Sequence, residues 1–284
     1  TNATCYGQAN GAVSINVSGG AGSYTYNWSN NATSQQISAL TAGSYTVTVT
    51  DAANCSVSSS AVVTEPAQLN IATEQQNITC NGAGNGSINI TVTGGVSTYS
   101  YNWSNGAGTE DIGNLSAQSY TVTVTDNNLC TNTATVAITQ PAVLAVTSTH
   151  TNVSCHGGSS GTITTTVTGG TVPYTFNWSD GGNTPNRTTL QAGSYSVTVS
   201  DVNGCSATAS NVLTQPAAII LSTTKADVTC AGAATGNIDL TVSGGVPSYQ
   251  YSWSNNAVSQ DLASITAGNY TVTVSDANSC TVTA

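Results

Sequence analysis

The chain has 284 residues, of which only 5% are charged, and its twelve acidic residues outnumber the two basic ones, Arg187 and Lys225. A formal net charge of −10 argues against nucleic acid or an anionic membrane surface as the partner. No apolar run approaches the roughly 18 residues of a membrane span, so we expect no membrane insertion. The absence of Met and of a leader-like segment favours a mature or internal piece of a protein.

One stretch recurs four times along the chain. Its first copy runs from Ser44 to Asp51, with Tyr and Val on alternate positions and Thr between them. This alternation is typical of a half-buried β-strand with hydroxyl groups on its outer face. A cysteine follows each copy, and these four cysteines are 75 residues apart: Cys55, Cys130, Cys205 and Cys280. The sequence therefore predicts a tandem array.

The phase of the repeat never shifts, which divides the chain into four units. They cover residues 1–66, 67–141, 142–216 and 217–284. Pro66, Pro141 and Pro216 mark the boundaries because proline cannot donate to a strand ladder. The first unit begins after the position of its first strand, and the fourth ends before most of its last one. We therefore expect the array to be part of a longer one; the alternative is that neighbouring chains supply the missing strands.

The second unit contains the full set of predicted elements. Its strands are expected, in chain order, around Leu69 and Ile71, at Ile88–Val92, at Tyr99–Trp103, once or twice before Leu115, at Tyr120–Asp126 and at Ala134–Ile138. About seven short strands in 75 residues predict a Greek-key sandwich of immunoglobulin-like type. The predicted fold is therefore all-β, with four such sandwiches in an extended rod of about 120–160 Å.

An ordered set of motifs in the second unit resembles the SprB repeat. The motifs are Cys80-Asn81-Gly82, Gly86, Gly94-Gly95, Tyr99 to Ser104, Leu115 to Asp126, Cys130 and Gln140-Pro141. The segment Trp178 to Gly181 also resembles a turn of PKD-like domains, which are related sandwiches. The resemblance implies a secreted cell-surface adhesin of gliding Bacteroidota, exported by the type IX secretion system. It implies that the chain serves in surface adhesion or as a stalk, and it does not indicate a ligand.

The eight cysteines form four equal pairs without metal-type spacing, which indicates disulfides and an oxidising compartment. We expect pairing within each unit, as between Cys5 and Cys55, which closes a 50-residue loop worth roughly 4 kcal/mol. The alternative joins neighbouring units, as between Cys55 and Cys80. The cysteines concerned are Cys5, Cys55, Cys80, Cys130, Cys155, Cys205, Cys230 and Cys280.

Recurrent aromatic residues are expected in the sandwich cores, where an immunoglobulin-like fold places a Trp and a corner Tyr. These are Trp28, Trp103, Trp178 and Trp253, with Tyr45, Tyr120, Tyr195 and Tyr270. A sugar-stacking platform is the alternative for the aromatic stripe. Its candidate ligand contacts, nearest the loop, are Tyr24, Tyr99, Tyr174 and Tyr249.

Only one acidic position is present in all four units: Asp51, Asp126, Asp201 and Asp276. One carboxylate per unit is too few for calcium, so we expect these residues to cap the following turn. His150 and His156 do not recur, and no nucleophile–base arrangement is supported. We therefore expect no catalysis, no metal and no cofactor.

The composition and the resemblance together favour a structural stalk segment on the outside of a bacterial cell. Its expected partners are neighbouring repeats of the same chain. A multivalent carbohydrate-binding array is one alternative, with polysaccharide or abiotic surfaces as partners. A self-assembling filament, in which copies of the chain pair along Thr-rich edges, is another.

Overall fold

The computed structural model describes all 284 residues, and every regular element in it is a β-strand. The chain divides into two compact units, Thr1–Gln140 and Pro141–Ala284. It contains no helix with the length and apolarity that a membrane crossing requires. Each compact unit contains two of the four sequence repeats.

The strands follow the sequence pattern closely. In Thr1–Gln140 they are β1 (Gly11–Ser14), β2 (Thr25–Trp28), β3 (Gln36–Leu40), β4 (Gly43–Thr50), β5 (Ser56–Val63), β6 (Asn70–Gln76), β7 (Gly86–Thr93), β8 (Ser100–Trp103), β9 (Ile112–Leu115), β10 (Ser119–Thr125) and β11 (Thr131–Ala137). In Pro141–Ala284 they are β12 (Ala145–Thr151), β13 (Gly161–Thr168), β14 (Thr175–Trp178), β15 (Arg187–Leu190), β16 (Gly193–Ser200), β17 (Ser206–Leu213), β18 (Ile220–Ala226), β19 (Gly236–Ser243), β20 (Gln250–Trp253), β21 (Leu262–Ile265), β22 (Val272–Ser275) and β23 (Thr281–Thr283).

The second repeat is a sandwich of two antiparallel three-stranded sheets. One sheet has the order β6-β7-β9 and the other the order β11-β10-β8. This is the two-sheet arrangement of an immunoglobulin-like fold with one edge strand fewer. The third repeat has the same order, with β12-β13-β15 facing β14-β16-β17. A complete repeat thus has six strands rather than about seven, because residues 105–111 form turns and bends and no additional strand.

The alternating pattern places valine inside and threonine outside, as the sequence predicts. Val122 and Val124 are fully buried in a cluster that also contains Trp103 and Ile88. On the outer face, hydroxyl groups pair across the strands. Thr46 and Thr48 lie 2.8 and 3.0 Å from the hydroxyls of Ser60 and Ser58, and Thr121 lies 2.8 Å from that of Thr135. The uncharged coat therefore satisfies part of its own hydrogen bonding.

Each repeat contains a β-bulge in its fourth strand position. The register shifts where this strand meets the strand that begins at Gly11, Gly86, Gly161 or Gly236. The bulge uses a non-glycine residue with positive φ at the same phase in each repeat: Ala39, Asn114, Thr189 and Ser264. Bulges bend a strand and increase its local twist, so the bulge sets the path of this strand at the same place in every repeat.

Candidate functional site: the junction between successive repeats

The recurrent aspartate organises one end of each repeat. In the second repeat, Oδ1 of Asp126 accepts the backbone N–H groups of Asn128 and Cys130, both at 2.9 Å. Its Oδ2 accepts the N–H of Val96 at 2.8 Å. Asp126 is only 3% exposed. The carboxylate therefore caps its own turn and also ties that turn to the glycine pair Gly94-Gly95.

The same carboxylate geometry recurs at Asp51, Asp201 and Asp276. The pKa of Asp51 lies below its ordinary value because backbone N–H groups of Ala21, Cys55 and Ala53 stabilise the charge, against the opposing effect of burial. Backbone donors, with Val246 foremost, lower the pKa of Asp276 in the same way. At neutral pH Asp51 and Asp276 are therefore anionic hydrogen-bond acceptors.

The linker before the second repeat lies against the Gly94-Gly95 turn. Gly95 donates its N–H to the carbonyl of Ala67 at 2.8 Å. Gly94 has φ of +77°, and a Cβ there would lie 1.8 Å from the carbonyl oxygen of Gln68. Only glycine fits at this contact, both for its backbone conformation and for the space it leaves. The linker is thereby fixed to the repeat that follows it.

The first cysteine of a repeat lies at the opposite end, where the last strand of that repeat finishes. Ala3 donates to the carbonyl of Thr64 at 2.9 Å, and Thr64 donates to Oδ1 of Asn2 at 3.1 Å. The N–H of Gly7 reaches Oε2 of Glu65 at 2.6 Å. Gly82 with Gln140, and Gly157 with Gln215, repeat the last contact at 2.9 and 2.7 Å. The residue before each boundary proline therefore holds the first-cysteine turn.

These two ends meet in a disulfide between neighbouring repeats. Cys5 of the first repeat is bonded to Cys130 of the second, with a Cα–Cα distance of 5.8 Å. Cys155 of the third repeat is bonded to Cys280 of the fourth, with a Cα–Cα distance of 5.6 Å. Both bonds span 125 residues. Cys80 and Cys205 are disulfide-bonded as well, whereas Cys55 and Cys230 are free and exposed.

The expected pairing within a repeat, as between Cys5 and Cys55, is therefore wrong, and so is the alternative between Cys55 and Cys80. The reason is the length of the last strand. In the second repeat, β11 separates the Cys130 turn from the end that holds the Cys80 turn, and seven residues span about 23 Å. A disulfide requires Cα atoms within about 7 Å. Cysteines at opposite ends of one sandwich cannot meet this limit.

A second polar contact accompanies each disulfide. Nδ2 of Asn128 donates to the carbonyl of Thr4 at 2.9 Å, and Nδ2 of Asn278 donates to that of Ser154, also at 2.9 Å. In the first pair of repeats, a groove of about 330 Å³ runs beside the bond, lined by Tyr6, the linker from Pro66 to Leu69, and the Asp126 turn. The junction is thus a built contact rather than a lone cross-link.

The aromatic residues of the stripe lie in or against the sandwich cores. The four tryptophans are 2–4% exposed, and each donates its indole N–H to a backbone carbonyl, as Trp103 does to Thr109 at 2.9 Å. The tyrosines at the corner donate to the carbonyl four residues earlier: Tyr45 to Thr41, Tyr120 to Ser116, Tyr195 to Gln191 and Tyr270 to Thr266. This is the tyrosine corner of immunoglobulin-like sandwiches.

The candidate ligand-contact tyrosines are half-buried, and their hydroxyls are already bonded within the chain. Tyr99 and Tyr174 donate to the carbonyls of Gly94 and Gly169 at 2.6 Å. Tyr24 and Tyr249 make the same bond to Gly19 and Gly244. Each of these tyrosines therefore braces the glycine turn of its own repeat, and a ligand contact there stays a hypothesis.

The remaining titratable groups form isolated local contacts. Nδ1 of His150 lies 3.3 Å from Oδ1 of Asn211. The Arg187 guanidinium contacts Asp180 at 2.6 Å and holds the pKa of that carboxyl below its ordinary value. Burial, together with the nearby Glu110, raises the pKa of Tyr101. No group of three or more His, Cys, Asp or Glu side chains is placed to hold a metal ion.

Comparison with known proteins assigns the repeat. The family model for the SprB repeat matches residues 1–33, 72–108, 147–183 and 222–258, which together make up about half of the chain. The chain belongs to the SprB repeat family. Each match includes the first cysteine, the glycine pair and the tryptophan of its repeat. SprB repeats identify the chain as a structural, adhesive repeat segment, and its disulfides are typical of an extracellular location.

Similar solved structures are tandem immunoglobulin chains. The eight N-terminal Ig domains of Down Syndrome Cell Adhesion Molecule isoform 1.30.30 are 11% identical, with a TM-score of 0.27, over 99% of this chain and 58% of that one. Dpr2 Ig1-Ig2 in complex with DIP-Theta Ig1-Ig3 is 10% identical, with a TM-score of 0.25, over 68% of this chain and 90% of that one. This chain thus spans little more than half of the first structure. No curated protein sequence matches the chain. The fold assignment rests on strand order.

Proposed function

We propose that the chain is a non-enzymatic stalk segment of a very large secreted cell-surface adhesin or surface filament, of the kind used in surface adhesion and gliding. One observation carries the proposal: disulfides join the Cys5 turn of the first repeat to the second repeat and the Cys155 turn of the third repeat to the fourth. A linker held from Glu65 to Gln68 by both neighbouring repeats leaves little freedom for bending between them. A stalk needs this property, and a set of independent binding modules does not.

The surface chemistry supports the same function. The outer faces present threonine and serine hydroxyls that bond to one another, and charged residues make up only 5% of the chain. Such a coat offers few ion pairs to passing macromolecules. The segment therefore supplies reach and mechanical continuity, and adhesive contacts to polysaccharide or abiotic surfaces belong to the parent protein as a whole. We assign its export to the type IX secretion system.

The test compares length and binding on the oxidised chain. Electron microscopy of single particles is expected to show rods of about 120–160 Å, from four sandwiches at 3.3 Å per strand residue plus loops. The oxidised chain is expected not to bind to glycan arrays, bare polysaccharide or glass. Compact particles would contradict the stalk. Binding that disappears when Tyr24, Tyr99, Tyr174 and Tyr249 are all changed to Phe, in a chain shown to be folded, would establish the multivalent carbohydrate-binding function instead.

A further inference from the structure

Each of the two disulfides between repeats lines a groove. Cys5 and Cys130 line the groove of about 330 Å³ in the first pair of repeats, and Cys155 and Cys280 line one of about 350 Å³ in the second pair. All four cysteines are partly exposed. We propose that these grooves are thiol–disulfide exchange sites, at which a small thiol or disulfide breaks and remakes the bond while both repeats stay folded.

The groove is a recurrent feature of the junction. Apart from Gln8, every residue that lines the first groove has its equivalent, two 75-residue periods later, in the second. The side chains beside the cysteines nevertheless differ, since Tyr6 and Leu129 in the first groove correspond to His156 and Ser279 in the second. What the two grooves share is therefore access to both cysteines of a bond, rather than a particular set of ligand-binding side chains.

Contacts without sulfur hold each cysteine in place. Cys130 donates its N–H to the Asp126 carboxylate at 2.9 Å. On the other side of the bond, the turn that follows Cys5 is held by Glu65, whose Oε2 accepts the N–H of Gly7 at 2.6 Å. Each contact lies within one repeat, so opening of the disulfide leaves it in place. Both turns therefore keep their conformation in the reduced chain.

Another contact without sulfur joins the two turns directly. Nδ2 of Asn128 donates to the carbonyl of Thr4 at 2.9 Å, and Nδ2 of Asn278 donates to that of Ser154 at 2.9 Å. Each contact lies next to its disulfide, since it joins the residue before the first cysteine to the residue two positions before the second. The neighbouring repeats therefore remain docked after reduction, with their thiols placed to form the same bond again.

The folded repeats also determine which cysteines pair. Cys55 and Cys80 are nearer to Cys5 in sequence than its partner Cys130 is. In an unfolded chain, the loop from Cys5 to Cys55 closes roughly fourfold more readily than the loop to Cys130, because closure becomes less probable with the 3/2 power of loop length. The native pair is therefore selected by the folded repeats, and exchange in the folded chain restores the same pair.

The exchange reaction balances with a small thiol as the reductant. Its thiolate attacks one sulfur of the Cys5–Cys130 bond, which gives a mixed disulfide and releases the other cysteine as a thiolate that takes up a proton. A second small thiolate attacks the small-molecule sulfur of the mixed disulfide and frees the remaining cysteine. Two small thiols are oxidised to one disulfide, and the protein disulfide is reduced to two thiols. Oxidation by the small disulfide is the reverse of these steps.

The first experiment tests whether the reagent enters through the groove. The folded, oxidised full-length chain is reduced at low ionic strength with neutral mercaptoethanol, anionic mercaptoethanesulfonate or cationic cysteamine. Released cysteines are alkylated and located by mass spectrometry. Leu129 lies beside Cys130 and is 81% exposed. Relative to mercaptoethanol, Leu129→Lys is expected to speed reduction of the Cys5–Cys130 bond by the anionic thiol about twofold to threefold and to slow reduction by the cationic thiol, and Leu129→Glu is expected to do the opposite.

Two references accompany these rates. The Cys155–Cys280 bond of the same chain is the internal one, because Leu129 lines only the first groove. Val62→Lys is the charge-matched control, since Val62 is 67% exposed and lines neither groove. A reduction rate that ignores the charge at position 129, or that follows urea concentration rather than thiol concentration, would show that the bond opens only after unfolding and would overturn the exchange site.

The second experiment tests the docked junction. The fully reduced chain is oxidised with glutathione disulfide in native buffer and in urea, and the pairs are mapped. We expect Cys5 to pair mainly with Cys130 in native buffer, whereas in urea its bond to Cys55 should exceed that to Cys130 roughly fourfold. The same distribution of pairs in both buffers would refute selection by the folded repeats.

Asn128→Ala removes the contact between the two turns, and alanine is the residue that the first repeat has at this position. In native buffer it is expected to slow formation of the Cys5–Cys130 bond by roughly fivefold, relative to the bond of the second pair of repeats, which is the effect of one hydrogen bond. Asn127→Ala is the matched control, because the first and fourth repeats also have alanine there. Equal rates in the two variants would contradict docking before bonding. The proposal does not rest on stalk function, so each result leaves that assignment unaffected.

Discussion

The inter-repeat disulfides determine how far the chain can lengthen under force. In the oxidised chain, residues 5–130 and 155–280 are each bridged across 125 residues. A pulling force therefore passes through the two bonds and the backbone from Cys130 to Cys155, which extends to roughly 90 Å at 3.3–3.6 Å per residue. After reduction the whole backbone from Cys5 to Cys280 carries the force. Complete reduction of the disulfides therefore releases roughly 860 Å of backbone.

Single-molecule force spectroscopy measures this difference directly. The chain is held at its ends and stretched before and after addition of a reductant. The double variant Cys55→Ser, Cys230→Ser serves as the background, because it removes the free thiols without touching either bond. We expect the oxidised chain to reach its limit within roughly 90 Å of backbone between Cys5 and Cys280, and the reduced chain to show the additional length. Repeat-by-repeat extension of the oxidised chain would refute the pairing between repeats.

Four further predictions concern the turns and the bulge. Asp126→Asn is expected to lower the free energy of unfolding by about 2–4 kcal/mol, because the N–H of Val96 then faces the amide NH₂ instead of a carboxylate oxygen. Asp111→Asn is the near-neutral control, because Asn186 accepts the equivalent backbone N–H at the same position of the third repeat. Chemical denaturation measures both variants. Gly94→Ala is expected to cost about 3 kcal/mol or more in the same assay because of the clash with Gln68, and Gly106→Ala, with a similar φ but open space, about 1 kcal/mol; equal losses would show that the clash is relieved. Thr189→Gly is expected to raise the unfolding free energy by about 0.5–1 kcal/mol by removing strain at φ of +62°, whereas Thr188→Gly is expected to lower it. Because the carboxyl pKa values of Asp51 and Asp276 are lowered in the folded state, stability is expected to be lost as the pH falls below their ordinary value of 3.8. Asp276→Asn should make the melting temperature fall less steeply over this acidic range. An unchanged dependence of the melting temperature on pH would contradict the assigned charge stabilisation.

The strands were predictable because local pattern dictates them. Alternation around Val122 and Val124 indicates a strand with one buried face. Gly94-Gly95 and Pro66 indicate where the strands before them, β7 and β5, end. The bulge was not predictable, because Ala39, Asn114, Thr189 and Ser264 share no side-chain property that favours positive φ. The packing of the surrounding strands forces that conformation, and packing is not visible in a local pattern.

The disulfide pairing depends on direction rather than on spacing. The spacing of Cys5 and Cys55 favoured a prediction of pairing within a repeat. The last strand of the repeat, β5, runs from the Cys55 turn to the end that holds the Cys5 turn, so the two cysteines lie at opposite ends of the sandwich. The recurrent pairs Gly7 with Glu65 and Gly82 with Gln140 were the sequence signal for this arrangement, since they join the first-cysteine turn to the end of its repeat. Asn128 gave no such signal, because Ala53 breaks its recurrence.

The 125-residue step of the disulfides also governs how such an array can change in length over evolution. If recombination removes one 75-residue period between equivalent points downstream of Cys5, a turn equivalent to that of Cys130 again follows Cys5 after 125 residues. That turn has the same aspartate cap and the same position for its thiol. Whole periods can thus be gained or lost without creating an unpaired thiol inside the array. A change of any other length places a first-cysteine turn against the wrong part of the next sandwich.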